Sequence, residues 1–303
     1  MRLVECVPNF SEGRRPEVIE EIVATMVAVE GVRLLDKEMD ADHNRAVVTI
    51  IGGPDEVLEG AFRGIAKARD LIDLTKHEGE HPRMGAADVC PFVPVSDVTM
   101  DECVELAKKL GERIGTELEI PVFLYEAAAT RPDRQNLAKV RKGQFEGLSK
   151  EIGTNPQKDP DFGPKRIHPT AGAIAVGARP FLVAYNINLG TSDLSIAKRI
   201  AKSIRHAGGG LRYVKAMGFE IKDRGIVQVS INMVNFRGTP LFRAFEMVKR
   251  EAERYGVPVI GSEIVGLVPV DALVDCADFY LRLENFQKDQ ILEHRLSESE
   301  EAS

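Results

Sequence analysis

The sequence predicts an α+β protein of two ferredoxin-like subdomains. Each is a β-α-β-β-α-β unit with its helices packed on one face of a sheet, and a ligand cleft lies between the two. Three observations predict it. Strand-like and helix-like periods alternate in the order β-α-β-β-α-β over residues 3–95, and the same order returns over residues 181–264. The two middle strands of the second run are joined by Lys222-Asp223-Arg224-Gly225, a hairpin turn signal. Between the runs, residues 149–164 (SKEIGTNPQKDPDFGP) are rich in Gly, Pro, Asn and Asp and lack apolar periodicity, as a linker does. No residue-level repeat accompanies the shared order. The expected division is 1–178, 179–290 and a disordered acidic tail at 291–303.

In chain order, residues 3–7 form an apolar strand that leaves through the turn-rich Pro8-Asn9-Phe10-Ser11-Glu12-Gly13. A helix follows over 16–29, with Val18, Ile19, Ile22, Val23 and Met26 at helical spacing, and Gly31 stops it. Strands are expected at 32–36 and 45–51, separated by the polar turn Met39-Asp40-Ala41-Asp42-His43-Asn44. A second helix covers 54–72, and the apolar run 90–95 reads as a buried strand bounded by prolines. A long helix at 99–118 and a short strand at 120–125 come next, then a polar, mostly basic stretch at 127–147 that reads as a helix plus a turn. The second run places strands at 181–187, 211–220, 226–234 and 257–264 and helices at 193–206 and 241–255. A last helix at 271–277 and an apolar piece at 279–283 close it.

Composition narrows the function classes. A chain of 303 residues, 44% hydrophobic and 29% charged, is ordinary for a soluble globular protein. The formal charge of -7 and the lack of a basic stripe argue against a nucleic-acid surface. No apolar run reaches membrane-spanning length, and residues 1–13 do not read as a secretory signal. Cys6, Cys90, Cys103 and Cys276 are scattered without metal-ligand spacing, as free thiols of a reducing cytoplasm are.

The chemistry concentrates in residues 76–92, KHEGEHPRMGAADVCPF, a non-periodic stretch held between a helix and a strand. His77 and His81 are four apart, but Gly79 and Pro82 interrupt any helix that would bring them onto one metal, and no metal is expected. Ser11 lacks a nucleophile-elbow context, and Gly208-Gly209-Gly210 follows a helix instead of opening one on a phosphate. General acid–base chemistry fits better, because an imidazole titrates near neutrality. His81 is the candidate base, Glu78 or Glu80 can orient it, and Arg83 can hold a carboxylate bidentately. Gly85 lets the backbone approach a ligand, and Asn9, Asn44 and Arg45 add polar groups at strand ends of the same unit.

LVECVPNFSEG at residues 3–13, KHEGEHPRMGAADVCPFVPV at 76–95, DFGP at 161–164, NINLGT at 186–191 and GLVPVDAL at 266–273 together resemble the formiminotransferase family. That family occurs alone or fused to a cyclodeaminase. The resemblance runs from residue 3 to about 283. It implies transfer of the formimino group from N-formimidoyl-L-glutamate to N5 of tetrahydrofolate, a late step of histidine degradation, by a homodimer. His81 is implied as the acid–base catalyst. The folate segment is implied to be Gly163, Pro164, Lys165, Arg166, Ile167, His168, Pro169, Thr170, Ala171 and Gly172; its interior, 165–171, differs from the animal members. Tetrahydrofolate enters as co-substrate. Asn44, Arg45 and Arg83 are candidates for the substrate carboxylates, and Glu38, Asp40 or Glu80 for the amidinium. Lys165 or Arg166 would meet a folate polyglutamate tail. About twenty residues follow Leu283, too few for a cyclodeaminase, which is expected as a separate chain. The alternatives are formyl transfer between 5-formyltetrahydrofolate and glutamate, a non-catalytic folate-binding protein and, more distantly, a metal hydrolase.

Overall fold

The computed structural model of the chain describes residues 1–301. The chain divides into two units, Met1–Arg179 and Pro180–Ser303. It is a mixed α+β structure with one sheet in each unit, as the alternating periods predict.

The first unit contains β1 (Leu3–Cys6), β2 (Asn9–Phe10), α1 (Pro16–Val27), β3 (Arg33–Asp40), β4 (Arg45–Gly52), α2 (Pro54–Leu71) and β5 (Ala87–Ser96). It continues with α3 (Met100–Glu117), β6 (Val122–Glu126), α4 (Leu137–Val140), α5 (Gln144–Glu151) and β7 (Ile174–Ala178). β1 and β2 lie end to end between β4 and β5, antiparallel to both, with β3 outside β4. Beyond β5 come β7 and then β6, both joined in parallel. α3 starts from a reciprocal cap in which Thr99 Oγ1 accepts from Glu102 N–H (3.2 Å) and Glu102 Oε2 accepts from Thr99 N–H (2.8 Å).

Strand periodicity sorts the side chains onto two faces. Val122, Leu124, Ile174, Val176, Cys90 and Phe92 join the apolar faces of α1, α2 and α3 in one core. Cys6 and Cys90 meet there as free thiols, Sγ to Sγ 3.4 Å. Phe123, Tyr125, Ala173, Ala175 and Val89 point the other way and pack with Val140, Leu148 and Ile152. Helices therefore cover both faces of this sheet around β5, β7 and β6, which corrects the expectation of helices on one face alone. The physical reason is the parallel pairing: strands with apolar residues on both sides need cover on both sides.

Two further expectations change. Residues 149–164 are no free linker: Val122 N–H donates to Phe162 O (3.0 Å), and the Asp161 carboxylate accepts from Leu124 N–H (2.8 Å) and pairs with the buried Arg134. β7, which follows, had no counterpart among the expected elements.

The second unit contains β8 (Val183–Leu189), α6 (Leu194–Ile204), β9 (Val214–Ile221), β10 (Ile226–Met233), α7 (Leu241–Glu253), β11 (Val259–Val265), α8 (Val270–Leu281) and α9 (Leu292–Glu301). Its strands pair antiparallel in the order β11-β8-β10-β9. Val183, Tyr185, Ile187 and Leu189 alternate into a core with α6 and α7. Asn188 and Gln228, on the opposite face, hydrogen-bond one another at 2.9 Å. The tail expected to be disordered is helical over Leu292–Glu301, because Arg295 bonds the Asp289 carbonyl (2.8 Å) and carboxylate (2.9 Å) and ties the first turn down. Residues 302–303 lie outside the described residues. Among the described residues no helix is long and apolar enough to cross a membrane.

Candidate active site

Residues 77–86 contain no helix or strand, so their backbone groups must find partners elsewhere. They find them in four places. The β3–β4 turn accepts Glu80 N–H at Asp42 O (3.2 Å) and His81 N–H at His43 O (3.4 Å). Asn44, at φ 49° in that turn, donates from Nδ2 to Glu78 O (2.9 Å) and accepts Gly13 N–H at Oδ1 (2.8 Å). Ser11 donates its N–H to Ala86 O (2.8 Å) and its hydroxyl to Gly85 O (2.7 Å). The segment before β7 exchanges Ala86 N–H for Ala171 O (2.9 Å) and Ala173 N–H for Met84 O (2.8 Å). On the fourth side, Arg83 forms a two-pronged pair with Glu146 of α5 (2.7 and 3.0 Å), and its carbonyl accepts Phe145 N–H (3.0 Å).

Within this frame the two histidines separate. Arg83 Nε donates to His77 Nδ1 (3.2 Å), so His77 carries its proton on Nε2 and donates it to Asn44 O (2.9 Å). Both ring nitrogens are engaged. His81 is buried, and its Nε2 has no hydrogen-bond partner among the described residues. That nitrogen lies 3.6 Å from Asp88 Oδ2, a little beyond hydrogen-bond length.

Asp88 reaches this position through a bulge. Phe10 pairs with Ala87 and Asn9 with Val89, leaving Asp88 as the extra residue of β5. Its carboxylate accepts Met84 N–H at Oδ1 (2.7 Å) and pairs at Oδ2 with Arg141, which follows α4. Burial alone would raise the Asp88 pKa, but Arg141, His81 and the Met84 N–H outweigh it and hold the carboxyl below its ordinary range. Burial lowers the His81 pKa, Asp88 opposes that, and the guanidinium groups of Arg141 and Arg45 reinforce it. His81 is therefore neutral at pH 7 and able to accept a proton. Burial, and then the like charge of Arg141, also lower the Arg45 pKa against the opposing pull of Asp40, Asp88 and Glu38. The Nε of Arg45 and of Arg141 are buried donors without a hydrogen-bond partner among the described residues. The arrangement is a neutral imidazole beside two cations and one anion, with two N–H groups directed at no acceptor.

The other predicted residues fall into distinct places. Asn9 Nδ2 donates to Val7 O (3.1 Å). Glu38 lies on β3 opposite Val47, within electrostatic reach of Arg45, while Asp40 caps the turn by accepting His43 N–H (2.9 Å). Glu80 is exposed. Gly85 approaches the chain itself: a Cβ there would stand 1.9 Å from Ala173 O. Gly163, at φ 83°, packs on Gly115 of α3, and Pro164 is half-buried. Lys165 pairs with Asp159 (2.6 Å) and Arg166 with Glu119 (3.1 Å), both on the surface. Ile167 packs beneath β6 and β7 on Val89 and its neighbours. His168 and Gly172 exchange backbone bonds of 3.0 Å across Pro169, Thr170 and Ala171. Residues 163–172 and 77–86 thus meet along a backbone ladder, with Gly85 opposite Gly172.

Asp88 and Arg141 were not among the predicted site residues. Asp88 belongs to the same motif as His81, but its role depends on a bulge. Arg141 lies in the polar, mostly basic stretch at 127–147, which reads as a helix plus a turn and singles out no residue. Among the described residues, no three His, Cys, Asp or Glu side chains converge as metal ligands.

Comparison with known proteins adds an independent line. Residues 3–179 match the family described as formiminotransferase domain, N-terminal subdomain, and residues 184–296 match the formiminotransferase domain. The chain is 56% identical to the glutamate formimidoyltransferase of Streptococcus pyogenes serotype M1, over 97% of this chain and 99% of that protein. It is 50% identical to the glutamate formimidoyltransferase of Thermoplasma acidophilum, over 99% of both. It is also 46% identical to the formimidoyltransferase-cyclodeaminase of Gallus gallus, covering 93% of this chain and 53% of that protein.

Proposed function

The chain belongs to the formiminotransferase family, and from that premise we propose that it is a transferase moving the formimino group from N-formimidoyl-L-glutamate to N5 of tetrahydrofolate. The products are 5-formimidoyltetrahydrofolate and L-glutamate, and tetrahydrofolate is a co-substrate. The observation that carries the reading is His81: a buried, neutral imidazole beside the Asp88 carboxylate, on a loop bonded to residues 163–172.

The residues fit the proton inventory. As N5 attacks the amidine carbon a C–N bond forms, and His81 takes the N5 proton. The tetrahedral intermediate then collapses: the bond from carbon to the glutamate nitrogen breaks, and His81 returns the proton to that nitrogen. One imidazole titrating near neutrality serves both halves, a contribution of roughly 10²–10⁴-fold. The buried Nε–H groups of Arg45 and Arg141 suit a substrate carboxylate, since an unsatisfied buried donor costs about 1–3 kcal/mol that an acceptor recovers. Glu38, beside Arg45, or Glu80 faces the amidinium, and Asn9 lines the same strand end. Asn44, Arg83 and Gly85, whose groups are engaged within the chain, position the loop. The backbone of 163–172 meets the folate, with Lys165 and Arg166 near its glutamate tail.

The wider setting belongs to the same proposal. The enzyme serves a late step of histidine degradation in the cytoplasm, where four free cysteines remain reduced. It works as a homodimer, a reading supported by Val270, Leu273, Phe279, Tyr280 and Leu281, large apolar side chains exposed on α8.

The test is a coupled assay with N-formimidoylglutamate and tetrahydrofolate, following folate absorbance, for wild type and His81→Ala. Turnover by wild type, reduced at least 10²-fold in the variant, is expected. Near-normal turnover in the variant overturns the role of His81. Wild-type turnover only with 5-formyltetrahydrofolate and glutamate overturns the donor.

A further inference from the structure

We infer that Asp88 is a positioning residue for this reaction: it accepts the Nε2 proton of His81, fixes the ring as the Nε2–H tautomer and leaves Nδ1 as the nitrogen that takes and returns the substrate's proton. The inference rests on His81 being the acid–base group.

Geometry supplies the argument. Asp88 Oδ2 and His81 Nε2 face each other at 3.6 Å and both are buried; Nε2 has no hydrogen-bond partner among the described residues, while Oδ2 is paired with Arg141. A buried ring nitrogen without a partner and a buried carboxylate oxygen this close are natural partners, since the oxygen keeps a lone pair beside its contact with Arg141. Hydrogen bonds of catalytic groups are often long before substrate arrives and shorten once it binds. The carboxylate is ionised, because Arg141 pairs with it and Met84 N–H donates to Oδ1. An ionised oxygen repels a ring nitrogen that presents a lone pair, and attracts one that presents a proton. The proton of neutral His81 therefore sits on Nε2, and the basic lone pair sits on Nδ1.

The placement of Asp88 is also over-determined, as a positioning group requires. Its side chain is 1% exposed, the bulge in β5 aims it, and Met84 N–H and Arg141 hold it. When Nδ1 takes the proton from N5, His81 becomes an imidazolium with N–H groups on both sides. Asp88 then faces a full positive charge through Nε2, and it does not itself take a proton. The charged groups that act on His81 are Asp88 from β5, Arg45 from β4 and Arg141 beyond α4. The two cations disfavour the imidazolium, and Asp88 is the group among them that favours it.

Two measurements test the inference on the full chain. The first is the ¹⁵N chemical shifts of the histidine rings at pH 7.5, with His81 identified by the signals lost in His81→Gln. Nε2–H is expected, and Nδ1–H overturns the inference whatever the activity. The second is the pH profile of kcat/KM for Asp88→Asn. Without the carboxylate the imidazolium loses its partner, so the acid limb is expected to move to lower pH while kcat falls about 10²–10⁴-fold. An acid limb that stays in place, or an unchanged kcat, overturns the inference. A purely structural role would lower the yield of folded enzyme without moving the limb. If His81→Ala keeps its turnover, the reading of the function fails, and the tautomer is still decided by the wild-type spectrum.

Discussion

At the scale of single residues, the partners of each ring nitrogen set the two histidines of the loop apart. His77 binds Arg83 and Asn44 through its two nitrogens, whereas His81 Nε2 has no hydrogen-bond partner among the described residues and stands 3.6 Å from Asp88. This has a consequence for pH. Burial keeps the imidazole of His81 below the ordinary value near 6.5, with Arg141 and Arg45 adding to it against Asp88. Activity is therefore expected to fall on the acid side only below about 6.5, as the base becomes protonated; an acid limb above that value would contradict the assignment. Stability shifts in the same direction. The unfolded imidazole binds a proton before the folded one, so this contribution is complete above the unfolded pKa and is lost as pH falls through the folded one. Denaturant midpoints measured against pH should show that step, and His81→Gln should remove it. His81 stood out in the sequence as an imidazole in a non-periodic loop between apolar elements, and its proposed role as base came from the family resemblance of that loop. The engagement of Arg83 was not, since nothing near it in sequence announces Glu146 as the partner of its guanidinium.

At the scale of elements, the loop at 77–86 is ordered by its neighbours. A test is to press on the ladder between Gly85 and Gly172. Gly85→Ala would bring a Cβ to 1.9 Å from Ala173 O and 2.6 Å from Ala87 O, backbone atoms that cannot turn aside. A loss of about 3 kcal/mol or more and a fall in turnover are expected, by analogy with overpacking costs of 1–3 kcal/mol in cores that can relax. Gly147→Ala is the control: it lies within α5 with nothing within 4 Å of the added methyl, and it should gain about 0.5–1 kcal/mol. Thermal midpoints of the two variants would move in opposite directions; equal shifts would undo the argument. Most elements were legible from their period: the α1, α2 and α3 stripes and the β9–β10 hairpin stand where their apolar spacing and turn residues place them. β7 was not. Ile174–Ala178 reads IAVGA, too short and too small in side chain to announce a strand, and it forms one because β5 and β6 supply partners on both sides. The bulge at Asp88 was hidden for a related reason: bulges are set by pairing, which a single strand does not record.

At the scale of the whole molecule, each unit carries its own core, and each core is built on a sheet of its own. The exposed apolar residues on α8 of the second unit bear on the proposed homodimer. Leu281, 68% exposed, is the most accessible of them, so a charge there costs the free chain almost nothing. Leu281→Asp is expected to shift the chain from dimer to monomer in sedimentation velocity at micromolar concentration, with its thermal midpoint little changed. A wild-type chain that sediments as a monomer would overturn the dimer, and a dimer indifferent to the substitution would move the interface off α8. The two-unit plan was legible in the sequence because the same element order recurs. The divide at Arg179 follows the extra strand β7, which that order alone does not foresee.

The position of β7 also bears on how the protein is made. A ribosome releases β5 well before β7, yet β7 is the strand that joins β5 to β6 and lies next to the 168–172 ladder. The nascent chain can pair β1, β4 and β5 early, but the histidine loop lacks one of its four supports until residue 173 has emerged. Domains fold as units during synthesis, and this one completes the surroundings of His81 and Asp88 last. A fragment truncated anywhere before β7 would therefore expose His81 and Asp88 to water, and a ribosome that stalled there would present quality control with an unfinished sheet edge.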